Sequence, residues 1–96
     1  MLVLVVYDIQ CSTKEGRKRL HKVAKHCESL GKRIQNSVFE CLLDAAQFRS
    51  FKNTLTAMID PESDHLRFYN LGNAYEGRIE SIGTQKPEYY ENPIIL

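Results

Sequence analysis

The sequence lacks the cysteine spacing of a disulfide framework or of a zinc site. The three cysteines, Cys11, Cys27 and Cys41, form no C-x-x-C pair and leave an odd one over. This pattern favours reduced, buried thiols in a cytoplasmic protein over a disulfide-stapled secreted domain. The three histidines also match no ligand spacing that would indicate a metal site.

The sequence also lacks a long apolar run. Residues 1–7 form the longest one, which is far too short to cross a bilayer. It is followed directly by Asp8 and has no basic lead-in, so it does not match a secretory signal. Glycine-rich phosphate loops, internal repeats and low-complexity stretches are absent as well. With no transit peptide either, we expect a cytoplasmic protein that does not associate with membranes.

The sequence encodes one small domain in which positive charge is concentrated in one segment. Ninety-six residues suffice for a single hydrophobic core, and the net charge is only +1. Within residues 14–33, however, eight basic residues face only two acidic ones, so this segment carries +6 and the remainder −5. Such a segment indicates an anionic partner on one face of the protein, or else a solvated helix face.

The first third of the chain predicts a buried strand followed by an amphipathic helix. Residues 2–7 are apolar at both odd and even positions, which is typical of a central strand buried on both faces. Ser12 and Glu15 match a capping box at a helix start, and Gly31 stands where a left-handed C-terminal cap belongs. Between them, apolar residues recur at helical spacing, and lysines fall on the opposite side of the helix.

The rest of the chain predicts further strands and one more helix. Residues 32–43 are rich in strand-forming residues, with a turn-like break inside them. Asp44 is the predicted N-cap of a second helix, which Pro61 ends because proline cannot continue the hydrogen-bond ladder. Residues 65–71 predict a fourth strand, and residues 77–83 predict a weaker fifth.

This order of elements predicts an α+β fold, a ferredoxin-like split β-α-β-β-α-β domain with an extra C-terminal strand. We assign residues 1–83 to the domain and residues 84–96 to a C-terminal tail. Two helices can cover only one face of the sheet, yet the central strands are apolar on both faces. Since soluble proteins avoid large exposed apolar patches, we expect a homodimer packed through the other sheet face.

Asp8 is the first candidate for chemistry, because it ends the first predicted strand. A carboxylate at the end of a central strand can bind Mg²⁺, which prefers oxygen ligands and leaves positions for water and phosphate. The alternative is an aspartate that starts a loop and accepts backbone amides. One carboxylate alone is a poor metal site, but a two-fold axis near the strand ends would bring two together.

Four segments of the chain resemble a known family. They are Val5-Val6-Tyr7-Asp8-Ile9, Arg17-Lys18-Arg19-Leu20, the run from Gly31 to Cys41 (GKRIQNSVFEC) and the run from Asp64 to Gly72 (DHLRFYNLG). The third segment is the most specific. On these residues, and over nearly the whole chain through about Gly83, the sequence resembles the CRISPR-associated endoribonuclease family, the small proteins of the CRISPR adaptation module.

The resemblance implies a ferredoxin-like homodimer in which Asp8 of each subunit approaches a shared Mg²⁺. It implies metal-dependent cleavage of single-stranded RNA or double-stranded DNA, with Asp8 as the catalytic and metal-binding residue. Basic residues would contact the nucleic acid: Lys14, Arg17, Lys18, Arg19, Lys22, Lys25 and Arg33. Three residues of the matching segments would support the site: Tyr7, Ser37 and Phe39.

The resemblance also implies a partner and leaves alternatives for the function. The family joins the CRISPR integrase and bridges its two dimers on new spacer DNA, largely as a scaffold. The chain could therefore be a DNA-spanning scaffold without meaningful turnover, or a stand-alone, toxin-type ribonuclease acting on messenger RNA. The tail, residues 84–96, ends in three apolar residues that could add a strand to the partner subunit or to the integrase, or else form a frayed end.

Overall fold

The computed structural model describes residues 1–84 of the chain. Four strands and two helices follow the predicted order β-α-β-β-α-β. They are β1 (Leu2–Asp8), α1 (Lys14–Leu30), β2 (Lys32–Gln35), β3 (Val38–Leu42), α2 (Ala45–Met58) and β4 (His65–Gly72). The predicted tail strand lies outside the described residues, and the division of the chain after residue 83 stays a prediction.

The strands form one antiparallel sheet in the order β2-β3-β1-β4. β1 and β3 are therefore the central strands, as predicted for the ferredoxin-like fold. β1 pairs with β3 from Leu2 opposite Leu42 to Val6 opposite Val38, and with β4 as far as Asp8 opposite His65. Because the strands are antiparallel, the end of β1 lies beside the start of β4.

Both helices cover the same face of the sheet and enclose the core. Alternate residues of β1 point to the helices, among them Val3, Val5 and Tyr7. They pack with Val23 of α1 and Phe51 of α2, which are almost fully buried. The sequence pattern had assigned these positions to buried faces, and the structure confirms that assignment.

The ends of α1 differ from the predicted capping. Thr13, not Ser12, is the N-cap, and its hydroxyl accepts a hydrogen bond from the Gly16 amide at 3.0 Å. Gly31 has an extended backbone (φ −148°), not the left-handed conformation of a glycine cap. A glycine is required there for a different reason, since a Cβ would overlap the Sγ atom of Cys41 on β3.

The N-terminus of α2 is capped as predicted. The Asp44 carboxylate accepts a hydrogen bond from the Gln47 amide at 2.7 Å, and the Gln47 side chain accepts one from the Asp44 amide at 2.9 Å. This reciprocal capping box satisfies backbone donors that have no partner within the helix.

The predicted fifth strand over residues 77–83 is wrong. After β4 the chain forms a single turn of 3₁₀ helix, Glu76–Arg78, and then continues without regular structure to residue 84. Arg78 and Ile79 line a depression together with Leu4 and Tyr69 of the sheet. The apolar spacing that suggested a strand thus reflects a segment lying against the sheet rather than pairing with it.

The sheet face away from the helices, the open face, carries apolar side chains in its middle beside two charged ones. It carries Leu4, Val6 and Asp8 of β1, together with their cross-strand neighbours on β3 and β4: Val38, Glu40, His65, Arg67 and Tyr69. Tyr69 is 43% exposed, and Leu42, which lies opposite Leu2, is 63% exposed. Soluble proteins rarely leave such a patch uncovered. In the described residues, no helix is long and apolar enough to cross a membrane.

Candidate functional site

Asp8 lies where the open face meets the end of β1. It is the last residue of the strand, and its side chain is exposed on the same face as Val6 and Leu4. The loop that connects β1 to α1 begins at the residue after Asp8. Asp8 therefore combines two positions, the edge of an apolar sheet face and the beginning of a loop that leads to the basic helix.

The side chains of His65 and Arg67 accompany Asp8 on the open face, and sequence reasoning missed both. His65 is the cross-strand partner of Asp8, and Arg67 is the partner of Val6, so both project from the same face as the carboxylate. Both are exposed, and Arg67 donates a hydrogen bond to the Tyr69 hydroxyl at 3.2 Å. The antiparallel pairing of β1 and β4 could have identified these two residues, because it places the start of β4 beside the end of β1.

A cleft of about 530 Å³ opens beside Asp8, between α1 and the β2–β3 hairpin. It brings together five of the predicted site residues: Tyr7, Asp8, Arg17, Arg33 and Ser37. Its remaining lining comes from the loop after β1, from α1 and from the hairpin turn: Ile9, Cys11, Leu20, His21, Ala24 and Asn36. Segments distant in the sequence therefore meet in one cleft.

Tyr7 and Ser37 fix the end of β1 against the β2–β3 hairpin. The Tyr7 hydroxyl donates to the carbonyl oxygen of Asn36 at 3.0 Å, and the Tyr7 amide donates to the carbonyl of Ser37 at 3.1 Å. Burial is the main reason that the pKa of Tyr7 is raised to about 12, and the nearby Cys27 adds to the effect. Because the phenol stays protonated at neutral pH, it serves as a donor that positions the strand, not as a base.

Phe39 supports the site from the core. It is fully buried and stacks on Tyr7, with ring centroids 6.2 Å apart. On its other side the Arg33 guanidinium carbon lies 4.9 Å from the ring centroid. Arg33 is itself only 7% exposed and donates to Glu28 at 3.0 Å. Arg33 is therefore held rigidly, with its charge already paired, where it lines the cleft.

Arg17 reaches the cleft because the first turn of α1 lies very close to the preceding loop. A Cβ at Gly16 would overlap the carbonyl oxygen of Gln10, so only glycine allows this approach. Arg17 is exposed at the cleft, one residue further along the helix. The four predicted lysines of α1 are exposed as well: Lys14, Lys18, Lys22 and Lys25. They leave a basic helix surface that continues from the cleft.

Arg19 is held in an ion pair within the domain. Its guanidinium donates to both carboxylate oxygens of Asp64, at 2.7 and 3.3 Å. The Asp64 side chain is fully buried and also accepts the amides of Gln10 and Asp60, both at 2.9 Å. This carboxylate ties together α1, the loop after β1 and the approach to β4. Sequence reasoning assigned Arg19 to nucleic acid because a distant buried partner leaves no mark in local spacing.

The cysteines behave only partly as predicted. Cys27 and Cys41 are fully buried, but Cys11 is exposed at the cleft. Burial, then the neighbouring Cys41, raises the pKa of Cys27 to about 12, and burial with Glu40 raises that of Cys41 to about 11. Both thiols are therefore protonated at neutral pH and act as small apolar core residues.

Among residues 1–84, no three His, Cys, Asp or Glu side chains are grouped so that they could hold a metal ion. Within the described residues, Asp8 is the one acidic residue that lines the cleft. Mg²⁺ does not need an all-protein cage, since it keeps several waters and uses one or two carboxylates with substrate phosphates. The exposed Asp8, with open space beside it, fits that kind of half-open site.

Comparison with known proteins gives one consistent result. The family model described as CRISPR associated protein Cas2 matches residues 1–79. The chain is 52% identical over 96 residues to a CRISPR-associated endonuclease Cas2 of Halalkalibacterium halodurans, and 46% identical to a CRISPR-associated endoribonuclease Cas2 of Chlorobaculum tepidum. In both cases the match covers 100% of this chain and 100% of the relative.

Solved structures agree with the sequence relatives. A crystal structure of Streptococcus pyogenes Cas2 superposes with a TM-score of 0.74 at 49% identity, covering 86% of this chain and all of that chain. A hypothetical protein from Thermus thermophilus gives a TM-score of 0.70 at 30% identity, covering 88% of this chain and 93% of that one. With a family match over most of its length and full-length relatives at such identity, the chain belongs to the Cas2 family of CRISPR-associated proteins.

Proposed function

We propose that this protein is a metal-dependent nuclease of CRISPR adaptation, which cleaves phosphodiester bonds in single-stranded RNA or double-stranded DNA as a homodimer. The observation that carries the proposal is the position of Asp8. It is exposed at the edge of an apolar sheet face and at the mouth of a cleft that also holds Arg17. The names of the relatives, endonuclease and endoribonuclease, support hydrolysis of nucleic acid.

The open face supports the proposal that the active unit is a dimer. Its middle carries Leu4, Val6 and Val38 beside Glu40 and Arg67, and its edge carries Asp8. Packing two copies of this face about a two-fold axis near the end of β1 buries the apolar patch and sets two Asp8 carboxylates near each other. The two negative charges would repel without a cation between them, so dimerisation and metal binding support each other.

We expect the protein to sediment at micromolar concentration with about twice the chain mass of 11.1 kDa. Val6→Lys should give a monomer, because it places a charge in the middle of the open face beside Arg67. Ala57→Lys, on the exposed side of α2, is the control and should stay dimeric. Analytical ultracentrifugation measures all three, and a monomeric wild-type protein would contradict the dimer.

The residues of this chain would have separate roles around the bound ion. The two Asp8 carboxylates of a dimer would hold Mg²⁺, and the bound ion would supply positive charge beside the scissile phosphate. Arg17 is free to bind the phosphate through its guanidinium fork. The exposed lysines of α1 neutralise neighbouring phosphates without reading sequence. Tyr7 and Ser37 hold the end of β1, and thus Asp8, against the hairpin. Arg19 and Arg33, already ion-paired, stabilise the frame.

Cleavage by the purified protein tests the proposal. End-labelled single-stranded RNA and duplex DNA are incubated with Mg²⁺, and parallel samples contain EDTA in excess. We expect products with Mg²⁺ and none with EDTA, because a single carboxylate per subunit cannot stabilise the developing phosphate charge without the ion. Undiminished cleavage in EDTA would contradict metal dependence, and no cleavage under either condition would contradict the nuclease assignment.

One observation favours a second candidate function, a DNA-spanning scaffold in the CRISPR integrase complex. Besides Asp8, no carboxylate lines the cleft within the described residues, so no side chain is placed as a dedicated general base. The basic surface of α1 would serve a scaffold equally well. The nuclease and scaffold functions are distinguished by an assay of spacer integration in which the integrase is combined with a cleavage-deficient variant of this chain. Normal integration would make the scaffold role independent of hydrolysis.

A further inference from the structure

The end of β1 and the start of β4 place two residue types that bind metal ions side by side. His65 lies directly opposite Asp8 in the antiparallel pairing of these strands, and both residues are exposed on the open face. Directly opposite residues have Cβ atoms about 4.5 to 5.5 Å apart. An imidazole nitrogen and a carboxylate oxygen at that spacing can reach one ion, because each bond to the metal is about 2 Å long.

The surroundings leave this pair accessible to a cation. Within residues 1–84, the ion pairs that form involve neither Asp8 nor His65. Arg67 projects from the same face and would repel a cation, but it donates a hydrogen bond at 3.2 Å to the Tyr69 hydroxyl. Tyr69 is the cross-strand partner of Leu4, so this bond directs the guanidinium along β1 and away from Asp8. The exposed carboxylate and imidazole can therefore turn toward a shared ion.

The pair is half of a site and needs a second copy of the chain. Among residues 1–84, no three His, Cys, Asp or Glu side chains are grouped to hold a metal, so one chain offers only these two ligands. The two-fold axis proposed near the end of β1 would add the same two residues from the other subunit. Two carboxylates and two imidazoles would then surround one ion and still leave positions for water and phosphate.

An imidazole ligand changes which ion such a site prefers. Mg²⁺ is a hard cation that takes oxygen ligands and keeps several of its waters. Imidazole nitrogen suits first-row transition metal ions, whereas carboxylate oxygen also suits Mg²⁺ and Ca²⁺. Asp8 alone would hold either class of ion through its oxygens. The addition of His65 would strengthen only the binding of a transition metal ion.

We propose that His65 is a metal ligand beside Asp8 and gives the site a preference for a divalent transition metal ion, such as Mn²⁺, over Mg²⁺. The inference rests on the proposed function, because it takes Asp8 as a ligand and the dimer as the complete site. It deepens that function by naming the class of ion that the site selects.

Mn²⁺ bound to the full chain tests the ligand directly and without a cleavage assay. In pulsed EPR, the nitrogen nucleus of a coordinating imidazole modulates the spin echo of Mn²⁺, and oxygen ligands do not. We expect this modulation in wild type and its loss in His65→Gln, which changes an exposed residue. His21→Gln is the matched control, because His21 is also exposed and lines the cleft beside Asp8. It should keep the modulation.

Titration calorimetry with each ion measures the preference. His65→Gln should weaken Mn²⁺ binding about tenfold or more, since even the loss of a residue that only orients a ligand costs this much. The same variant should bind Mg²⁺ within about twofold of wild type, because Mg²⁺ gains little from an imidazole. Asp8→Asn should weaken the binding of both ions, which places them at one site.

The outcomes separate this inference from the proposed function. Mn²⁺ bound to wild type without nitrogen modulation overturns the role of His65 and leaves a metal site at Asp8 intact. Modulation that persists in His65→Gln overturns it as well, because the nitrogen then comes from another residue. Equal weakening of Mg²⁺ and Mn²⁺ binding in His65→Gln also overturns the preference. If wild type binds neither ion, the metal dependence of the proposed function fails together with this inference.

Discussion

Asp8→Asn should lower Mg²⁺-dependent cleavage by about 100-fold or more, since metal stabilisation of a transition state is worth several kcal/mol. The change removes one negative charge per subunit and adds almost no volume. Asp8 is exposed, and in the described part of the chain its side chain makes no hydrogen bond to another residue. The fold should therefore be retained, and the rate should fall because the ion is bound less well.

The measurement is the initial rate of product formation from labelled RNA and duplex DNA, at saturating and at limiting Mg²⁺. Glu62→Gln is the matched control, because it removes one negative charge from an exposed position outside the cleft. The control should cleave at the wild-type rate. Cleavage by Asp8→Asn at the wild-type rate, in protein freed of contaminating nuclease, would remove Asp8 from the mechanism.

The fold was predictable because each element carries a local signal. A short, β-branched run that is apolar at both odd and even positions identified β1, and the reciprocal capping of Asp44 and Gln47 marks the start of α2. The central position of β1 followed from apolar residues on both of its faces. The position of Asp8 at the strand end followed as well, since it is the first charged residue after the apolar run.

What could not be predicted depends on contacts between distant segments. Gly31 looked like a helix cap, but its role is to make room for Cys41 across the α1–β3 contact. Residues 77–83 have strand-like apolar spacing, yet Ile79 lies against the open face without pairing. His65 matches no metal-ligand spacing and becomes a neighbour of Asp8 only through sheet register. Local patterns contain none of this information.

The clearest of these distant contacts is the Arg19–Asp64 pair, which predicts a large effect on stability. Asp64→Ala should lower the free energy of unfolding by about 3 kcal/mol, a typical cost of breaking a buried ion pair. It leaves the Arg19 guanidinium and the amides of Gln10 and Asp60 without their shared acceptor. For a domain of this size the melting temperature should fall by roughly 10 to 20 °C.

The effect of Asp64→Ala should depend on pH with a definite sign. Burial alone would raise the pKa of Asp64, but hydrogen bonds from Arg19 and from the Asp60 and Gln10 amides outweigh it, so the pKa lies below its ordinary value of 3.8. A carboxylate with a lowered folded-state pKa stabilises the fold above its unfolded-state pKa and loses that contribution as the pH falls through the folded-state value. The difference in stability between wild type and Asp64→Ala should therefore be full at neutral pH and shrink below pH 3.8.

Urea denaturation at fixed protein concentration measures this difference at each pH, since the proposed dimerisation would also contribute to stability. Glu62→Ala, which removes an exposed carboxylate of the same loop, is the control and should stay within about 0.5 kcal/mol of wild type at every pH. A loss of stability in Asp64→Ala that persists unchanged at acidic pH would mean that packing, not the charge of the carboxylate, holds these segments together. Equal stability of Asp64→Ala and wild type at neutral pH would show that the pair does not stabilise the frame on which Asp8 and Arg17 are placed.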